Sequence, residues 1–260
     1  MATYKKRGGK KFDKAGHHVH GGSTTQEVFD TLDETASRSE KWIEKNQKPI
    51  FTILIATAIA ILGYLGYNKY IQQPKEIEAS NEMAYPKQYF DKALTTNPAT
   101  MVISERDSLL NLGLNGADGK YGFLDIASDY SGTDAGNLAN YYAGLSYYKI
   151  KNYKNAIKYL SNFSSDDLLL SPEAKGVIGD AFSELNQPKD AFDYYLKAAK
   201  ISTNSFTTPF YLFKAANTAL SLNKNKKAKE LFEKIKDNYS NSKEAKNIDF
   251  YINKAIYAAK

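Results

Sequence analysis

No cysteine occurs anywhere in the 260 residues. That absence excludes a disulfide scaffold, a thiolate metal site, a cysteine nucleophile and, for a bacterial protein, a lipidated N-terminal cysteine. Histidine is confined to His17, His18 and His20. Everything after them therefore lacks both imidazole and thiol, which removes most nucleophilic and general-base arrangements; the reading is of a non-enzyme with no bound cofactor. Nor does one sign of charge dominate, since 35 Lys and Arg face 29 Asp and Glu for a net charge of +6. At that balance, where the charges sit says more than how many there are.

Residues 1–22 carry Lys5, Lys6, Arg7, Lys10, Lys11 and Lys14 against Asp13 alone, with five glycines and no apolar periodicity. Such a segment buries too little surface to offset its ordering entropy and reads as a disordered basic arm. It would attract anionic lipid headgroups or RNA, and contact with a ribosome docked at a membrane channel is the sharper form of that reading. The three clustered histidines suit a metal, but no carboxylate cluster accompanies them, and incidental surface residues are the plainer reading. Over 23–48, Val28, Phe29, Leu32, Ala36, Trp42 and Ile43 recur at helical spacing among charges. This predicts an amphipathic juxtamembrane helix, with Ser23, Thr24 or Thr25 as its N-cap.

The eighteen residues Ile50–Tyr67 contain no charge. At ~1.5 Å per residue they cover about 27 Å, close to a hydrocarbon core of about 30 Å, which predicts a transmembrane helix over 49–68. Trp42 and Lys48 before it, and Tyr64, Tyr67, Lys69 and Tyr70 at its far end, suit interfacial anchors. Ten Lys and Arg precede the run, whereas the twenty residues after Tyr67 hold only Lys69, Lys75 and Lys87. The positive-inside rule then places the N-terminus in the cytoplasm and the remainder across the membrane. No small-x-small site follows Leu65, so the segment reads as an uncleaved anchor. Gly63 and Gly66 offer one small-residue face for packing against another membrane helix.

Beyond Pro74 the sequence turns helical and repetitive. Segments starting at Asn137, Ser171 and Thr208 align: Gly144 and Gly179 are 35 residues apart, as are Ala156 and Ala191, and Ala228 follows after 37. In the first helix of each unit a small residue precedes an aromatic by three positions, Gly144 before Tyr147 and Gly179 before Phe182; the third unit departs, with Ala216 before Ala219. In the second helix a small residue precedes a large one by four, Ala156 before Leu160, Ala191 before Tyr195, and Ala228 before Phe232. Small residues let helices cross closely, and the large residue one turn on fills the gap beside the crossing.

On these residues the sequence resembles the tetratricopeptide repeat family, whose period is near 34 residues with two helices per unit. The usual closing proline is missing; Leu168 and Thr203 stand in its place in the first two units. The fold expected is all-α, a tetratricopeptide-repeat helical solenoid following a single N-terminal transmembrane helix. Repeats and a terminal capping helix from Ser242 to Lys260 occupy 135–260. Residues 75–134 are expected to form one irregular helical pair, from helices over 75–94, 104–114 and 121–130 with a glycine-containing turn at 115–122.

The resemblance implies peptide or partner binding on a concave face lined by first helices. Carried onto this chain, its outward positions are Tyr141, Leu145 and Tyr148, then Asp180 and Glu184, then Phe210, Phe213 and Asn217. The same side chains could instead pack against neighbouring helices. Asp125, Asp129 and the pair Asp166–Asp167 sit where loops or solvated helix faces would put them, and Leu114–Gly119 lacks the alternating oxygen ligands of a calcium loop and reads as a turn.

A single anchor, a basic cytoplasmic arm and an exported repeat domain together resemble the YfgM family, ancillary subunits of the bacterial SecYEG translocon in the inner membrane. The resemblance implies a non-enzymatic scaffold with its C-terminal domain in the periplasm. Its partners would be SecY-type channel subunits, periplasmic chaperones, emerging secreted clients and the lipid bilayer. A general cell-envelope scaffold serving another secretion, cell-wall or gliding complex would share every one of these features.

Overall fold

The structure, a computed structural model, describes residues 24–95, 102–201 and 203–259. The basic arm 1–22 with its six cations and three histidines, and the cap candidate Ser23, lie outside the described residues, as do the side chains of Val28 and Phe29. Among the described residues every regular element is helical. The chain divides into two compact units, one ending at Leu65 and the other beginning at Gly66.

The first unit is built from α1 (Thr24–Lys45) and most of α2 (Gln47–Tyr67). On α1, Leu32, Trp42 and Ile43 are all exposed. None of α2 is buried, and its 21 residues extend about 31 Å at ~1.5 Å per residue. The helical run starting at Gln47 is, among the described residues, the one long and apolar enough to cross a membrane. Thr52 and Thr57 donate their hydroxyls to the carbonyls of Lys48 and Ile53, each at 2.8 Å. Both threonines are thereby made compatible with an apolar surround.

The second unit opens with a π-helical turn (Asn68–Gln72), then α3 (Gln73–Glu82), α4 (Ala84–Thr95), α5 (Ile103–Asn115) and α6 (Phe123–Asp129). The single helix expected over 75–94 is interrupted at Met83. Pro86 has no N–H to offer the Glu82 carbonyl, which accounts for the break. Rather than a single irregular pair, α4 packs with α5 while α6 packs with α7 (Asp134–Lys149). Phe90, Phe123 and Tyr142 tie these helices together: Tyr142 stacks on Phe123 at 5.3 Å and meets Phe90 edge-on at 5.1 Å. Two contacts join the start of the unit to α7. The Glu76 carboxylate accepts from the N–H groups of Asp134 at 2.7 Å and Ala135 at 3.0 Å, and Gln72 Nε2 donates to the Gly132 carbonyl at 2.8 Å.

From α7 onward the chain is a helical solenoid of three antiparallel pairs. They are α7 with α8 (Tyr153–Asn162), α9 (Leu170–Glu184) with α10 (Pro188–Ile201), and α11 (Thr207–Ser221) with α12 (Asn225–Asn238). Each helix packs on the next, and α13 (Ile248–Ala258) covers α12. The turn inside each pair is the same: Lys151, Asn186 and Asn223 adopt left-handed φ angles of 62°, 57° and 57°. The following residue's N–H reaches back to the carbonyl of Tyr147, Phe182 or Ala219, at 2.8 Å in all three. This closes the exposed carbonyls of the first helix in one Schellman-like turn and reverses the chain.

Between the paired helices, the small residues admit the large ones. A Cβ on Gly144 would lie 2.4 Å from Leu160 Cγ, and one on Gly179 would lie 2.7 Å from the Tyr195 ring. Tyr147 stacks on Tyr159 at 5.5 Å, and 35 residues on Phe182 meets Tyr194 at 5.3 Å. The third pair places its ring contact elsewhere, between Phe213 and Phe232 at 5.7 Å, and its Ala216, Ala219, Ala228 and Phe232 are all wholly buried. The last helix starts at Ile248 rather than Ser242, because Asn247 turns left-handed (φ 60°) just before it.

Candidate functional site

Helix α9 places Glu173, Gly176, Asp180 and Glu184 at successive spacings of three, four and four, which puts them on one face. Neighbouring helices supply phenols to that face. Gly176 leaves room for Tyr211 of α11, whose ring would lie 2.0 Å from a Cβ there. Tyr195 of α10 packs against Gly179 and donates its hydroxyl to Asp180 Oδ1 at 2.6 Å. Lys214 of α11 donates to both oxygens of the same carboxylate, at 2.7 and 2.8 Å. The Tyr141 phenol of α7 lies in the field of Glu173, and the Tyr153 hydroxyl donates to Glu184 at 3.2 Å. A strip of carboxylates and phenols thus runs the length of α9.

The electrostatics follow from burial in a negative field. Burial first, then the Asp180 and Glu184 carboxylates, push the Tyr148 phenol up to about 12. Burial and nearby carboxylates drive Tyr141, Tyr195 and Tyr211 well above the ordinary phenol value: Glu173 acts on Tyr141, Asp180 on Tyr195, and both on Tyr211. These hydroxyls therefore stay protonated and available as donors.

Where α9 meets the start of α11 the strip opens into a cleft of about 510 Å³, with apolar walls from Leu169, Phe206, Phe210 and Tyr211 and a rim of Glu173, Lys243 and Glu244. Two side-chain caps hold its walls. The Asp167 carboxylate accepts from the N–H groups of Leu169 and Leu170, both at 2.8 Å, and these bonds hold its pKa below the ordinary carboxylate value. Asn204 Oδ1 accepts from Phe206 N at 2.9 Å and Thr207 N at 2.6 Å. So fastened, Phe206 stays 77% exposed and Phe210 41%. An open apolar hollow with a charged rim is suited to holding a side chain of a partner.

Of the outward positions expected from sequence, Tyr148, Asp180, Glu184 and Phe210 lie on the strip or its cleft. The other four do not present an open surface. Tyr141 is buried with its ring 5.0 Å from Phe163. Leu145 is half-buried against the core. Phe213 packs against Phe232 at 5.7 Å and Tyr251 at 4.8 Å, because α13 covers that side of the last pair. Asn217 turns its Nδ2 back to the Phe213 carbonyl at 2.9 Å.

Sequence reasoning passed over Glu173, Tyr211 and Lys214, and gave Tyr195 only as a packing residue of the second helix. Glu173 lies two helical turns before Asp180, and Lys214 one turn after Phe210, so both could have been found by extending the same face. Tyr211 arrives from another helix and left no such sign. Elsewhere, Asp125 accepts from Gly122 N at 3.1 Å at the start of α6. Gly116, Asp118 and Gly119 form a turn with positive φ. Among the described residues no three His, Asp or Glu gather as a metal site.

The tetratricopeptide repeat family profile matches residues 138–166 and 211–242, the first and third helix pairs with their adjoining loops. The middle pair, α9 with α10, folds in the same way between them. No curated protein matches the chain.

Proposed function

We propose that this chain, whose solenoid carries tetratricopeptide repeats and whose N-terminal region carries a membrane-length apolar helix, is a non-enzymatic membrane-anchored scaffold ancillary to the Sec translocon. In this reading α2 anchors the protein in the bacterial inner membrane with residues 1–48 in the cytoplasm. The repeat domain then stands in the periplasm and holds chaperones or emerging secreted chains near the channel. The observation that carries the reading is the order of parts: an unburied helix whose Ile50–Tyr67 stretch carries no charge, ahead of a helical array whose middle pair exposes the carboxylates Glu173 and Glu184. Tetratricopeptide arrays serve protein–protein interaction, and the region after His20 has no imidazole or thiol with which to do acid–base or nucleophilic chemistry. The anchor, the basic arm and the resemblance to the YfgM family point to the translocon among the possible assemblies.

The test is a tagged pull-down from mildly solubilised membranes, with and without residues 1–67, read by mass spectrometry. Anchor-dependent recovery of SecY-type subunits with periplasmic folding factors is the expected result. Recovery of cell-wall, gliding or other secretion components without channel subunits would replace the translocon by another envelope assembly.

A further inference from the structure

We propose that the cleft at the start of α9 and α11 takes an extended peptide presenting a bulky apolar side chain beside a lysine or arginine. The inference deepens the scaffold reading by giving the chemistry of the segment held, and it rests on that reading only in assuming a protein partner.

Three observations carry it. The first is charge. Glu173 and Glu244 rim the cleft and Glu184 continues the strip, and among the described residues none of these three forms an ion pair, whereas Asp180 is already bound to Lys214. Among the described residues Lys243 is the one cation on the cleft rim, beside Glu173 and Glu244, so this rim is net acidic although residues 68–260 carry 25 basic against 22 acidic side chains. The second is shape. The walls formed by Leu169, Phe206, Phe210 and Tyr211 are apolar, and 510 Å³ is ample for one aromatic or branched aliphatic side chain. The third is reach. Glu173 and Glu184 are eleven residues apart on one helix, about 16 Å at ~1.5 Å per residue, which an extended peptide spans in about five residues. The Tyr153 hydroxyl, which donates to Glu184 at 3.2 Å, holds that acceptor in place before any ligand arrives.

An acidic segment would meet Glu173, Glu184 and Glu244 at like charge, and a purely apolar one would leave them without counter-charge. Specificity therefore comes from the rim, and the hollow contributes the anchor.

The experiment uses the full-length protein in lipid nanodiscs and a labelled peptide with a central leucine–phenylalanine pair flanked by lysines in a glycine–serine background. Two companions replace the lysines by glutamate, or the central pair by serine. The lysine peptide is expected to bind roughly tenfold more tightly than either companion, and to weaken as salt rises. The double substitution Glu173→Gln with Glu244→Gln should abolish the lysine-over-glutamate preference. Phe210→Ala should abolish the preference for the apolar pair, and each variant should keep the helical circular dichroism and melting of the parent. Equal binding of lysine and glutamate peptides overturns the inference, as does a preference that survives the double substitution in a folded protein. Channel subunits retained in the pull-down while peptide discrimination fails would sink this inference alone; discrimination without channel subunits would sink the translocon reading alone.

Discussion

Lys214 Nζ lies 2.7 and 2.8 Å from the two carboxylate oxygens of Asp180, 34 residues earlier in the chain. The Tyr195 hydroxyl meets the same carboxylate at 2.6 Å. One side chain of α9 therefore ties together α10 and α11, in the middle of the strip and beside the cleft. The Asp180 and Lys214 side chains are only 20% and 30% exposed, so water screens this pair less than an ordinary surface ion pair.

Replacing Asp180 by alanine leaves a phenol and an ammonium without their acceptor. We expect a loss of about 2 kcal/mol in urea unfolding, the cost of an unsatisfied, partly buried polar group. Lys214→Ala leaves Asp180 still bonded to Tyr195 and should cost less. Equal losses for the two variants would show that Asp180 has no role beyond the ion pair.

Gly176 is where Tyr211 enters, with 2.0 Å between its ring and a Cβ at that position; the corresponding distance is 2.7 Å for Gly179 and Tyr195. Gly176→Ala must displace the ring that walls the cleft and is expected to destabilise by about 1–3 kcal/mol. Gly179→Ala should cost less. Thermal unfolding followed by circular dichroism gives the order, and the reverse order would contradict the packing.

Glu76 caps α7 from a helix 58 residues upstream. Glu76→Ala should cost about 1 kcal/mol, as loss of a capping side chain does, and Glu76→Gln should fall between because one acceptor oxygen remains. Hydrogen exchange should quicken at Asp134 and Ala135 while α11 and α12 are unchanged. Exchange accelerating equally along all repeats would argue against a local cap.

Alkaline pH should unfold the second unit through its tyrosines. Tyr85 is pushed up to about 12 first by its hydrogen bond with Tyr89, and Tyr130 and Tyr148 to about 12 first by burial. An unfolded phenol titrates near ~10, so the unfolded chain gives up these protons first. The stability they contribute is whole below about pH 10 and is lost as pH rises from about 10 towards about 12. Tyrosinate absorbance should therefore rise in two phases, the second together with loss of helical dichroism. Complete ionisation near the ordinary phenol value with the helices intact would refute this.

The absence of cysteine makes topology directly measurable. Ser39→Cys and Ser240→Cys, introduced singly, should react with an impermeant maleimide from opposite sides: Ser39→Cys only after the membrane is opened, Ser240→Cys in spheroplasts. The opposite pattern would reverse the proposed orientation.

Periodicity and composition alone determined several features of this protein. Eighteen uncharged residues can satisfy their backbone in lipid only as a helix, so α2 is legible without any tertiary contact. The helix pairs are legible too, because small and large residues recurring 35 apart serve a local crossing that each unit repeats. The rotation of each helix about its axis is another matter. It depends on side-chain volumes brought from distant segments: the Tyr211 ring seated on Gly176, the Tyr195 ring against Gly179, and α13 covering Phe213. A stripe on one helix shows that a face exists, but which neighbour covers it is set by packing the whole solenoid at crystal-like density. Only the tertiary structure therefore decided that Tyr141 and Phe213 are interior, that Asp180 is shared by three helices, and that Leu169, Phe206 and Phe210 meet around an acidic rim.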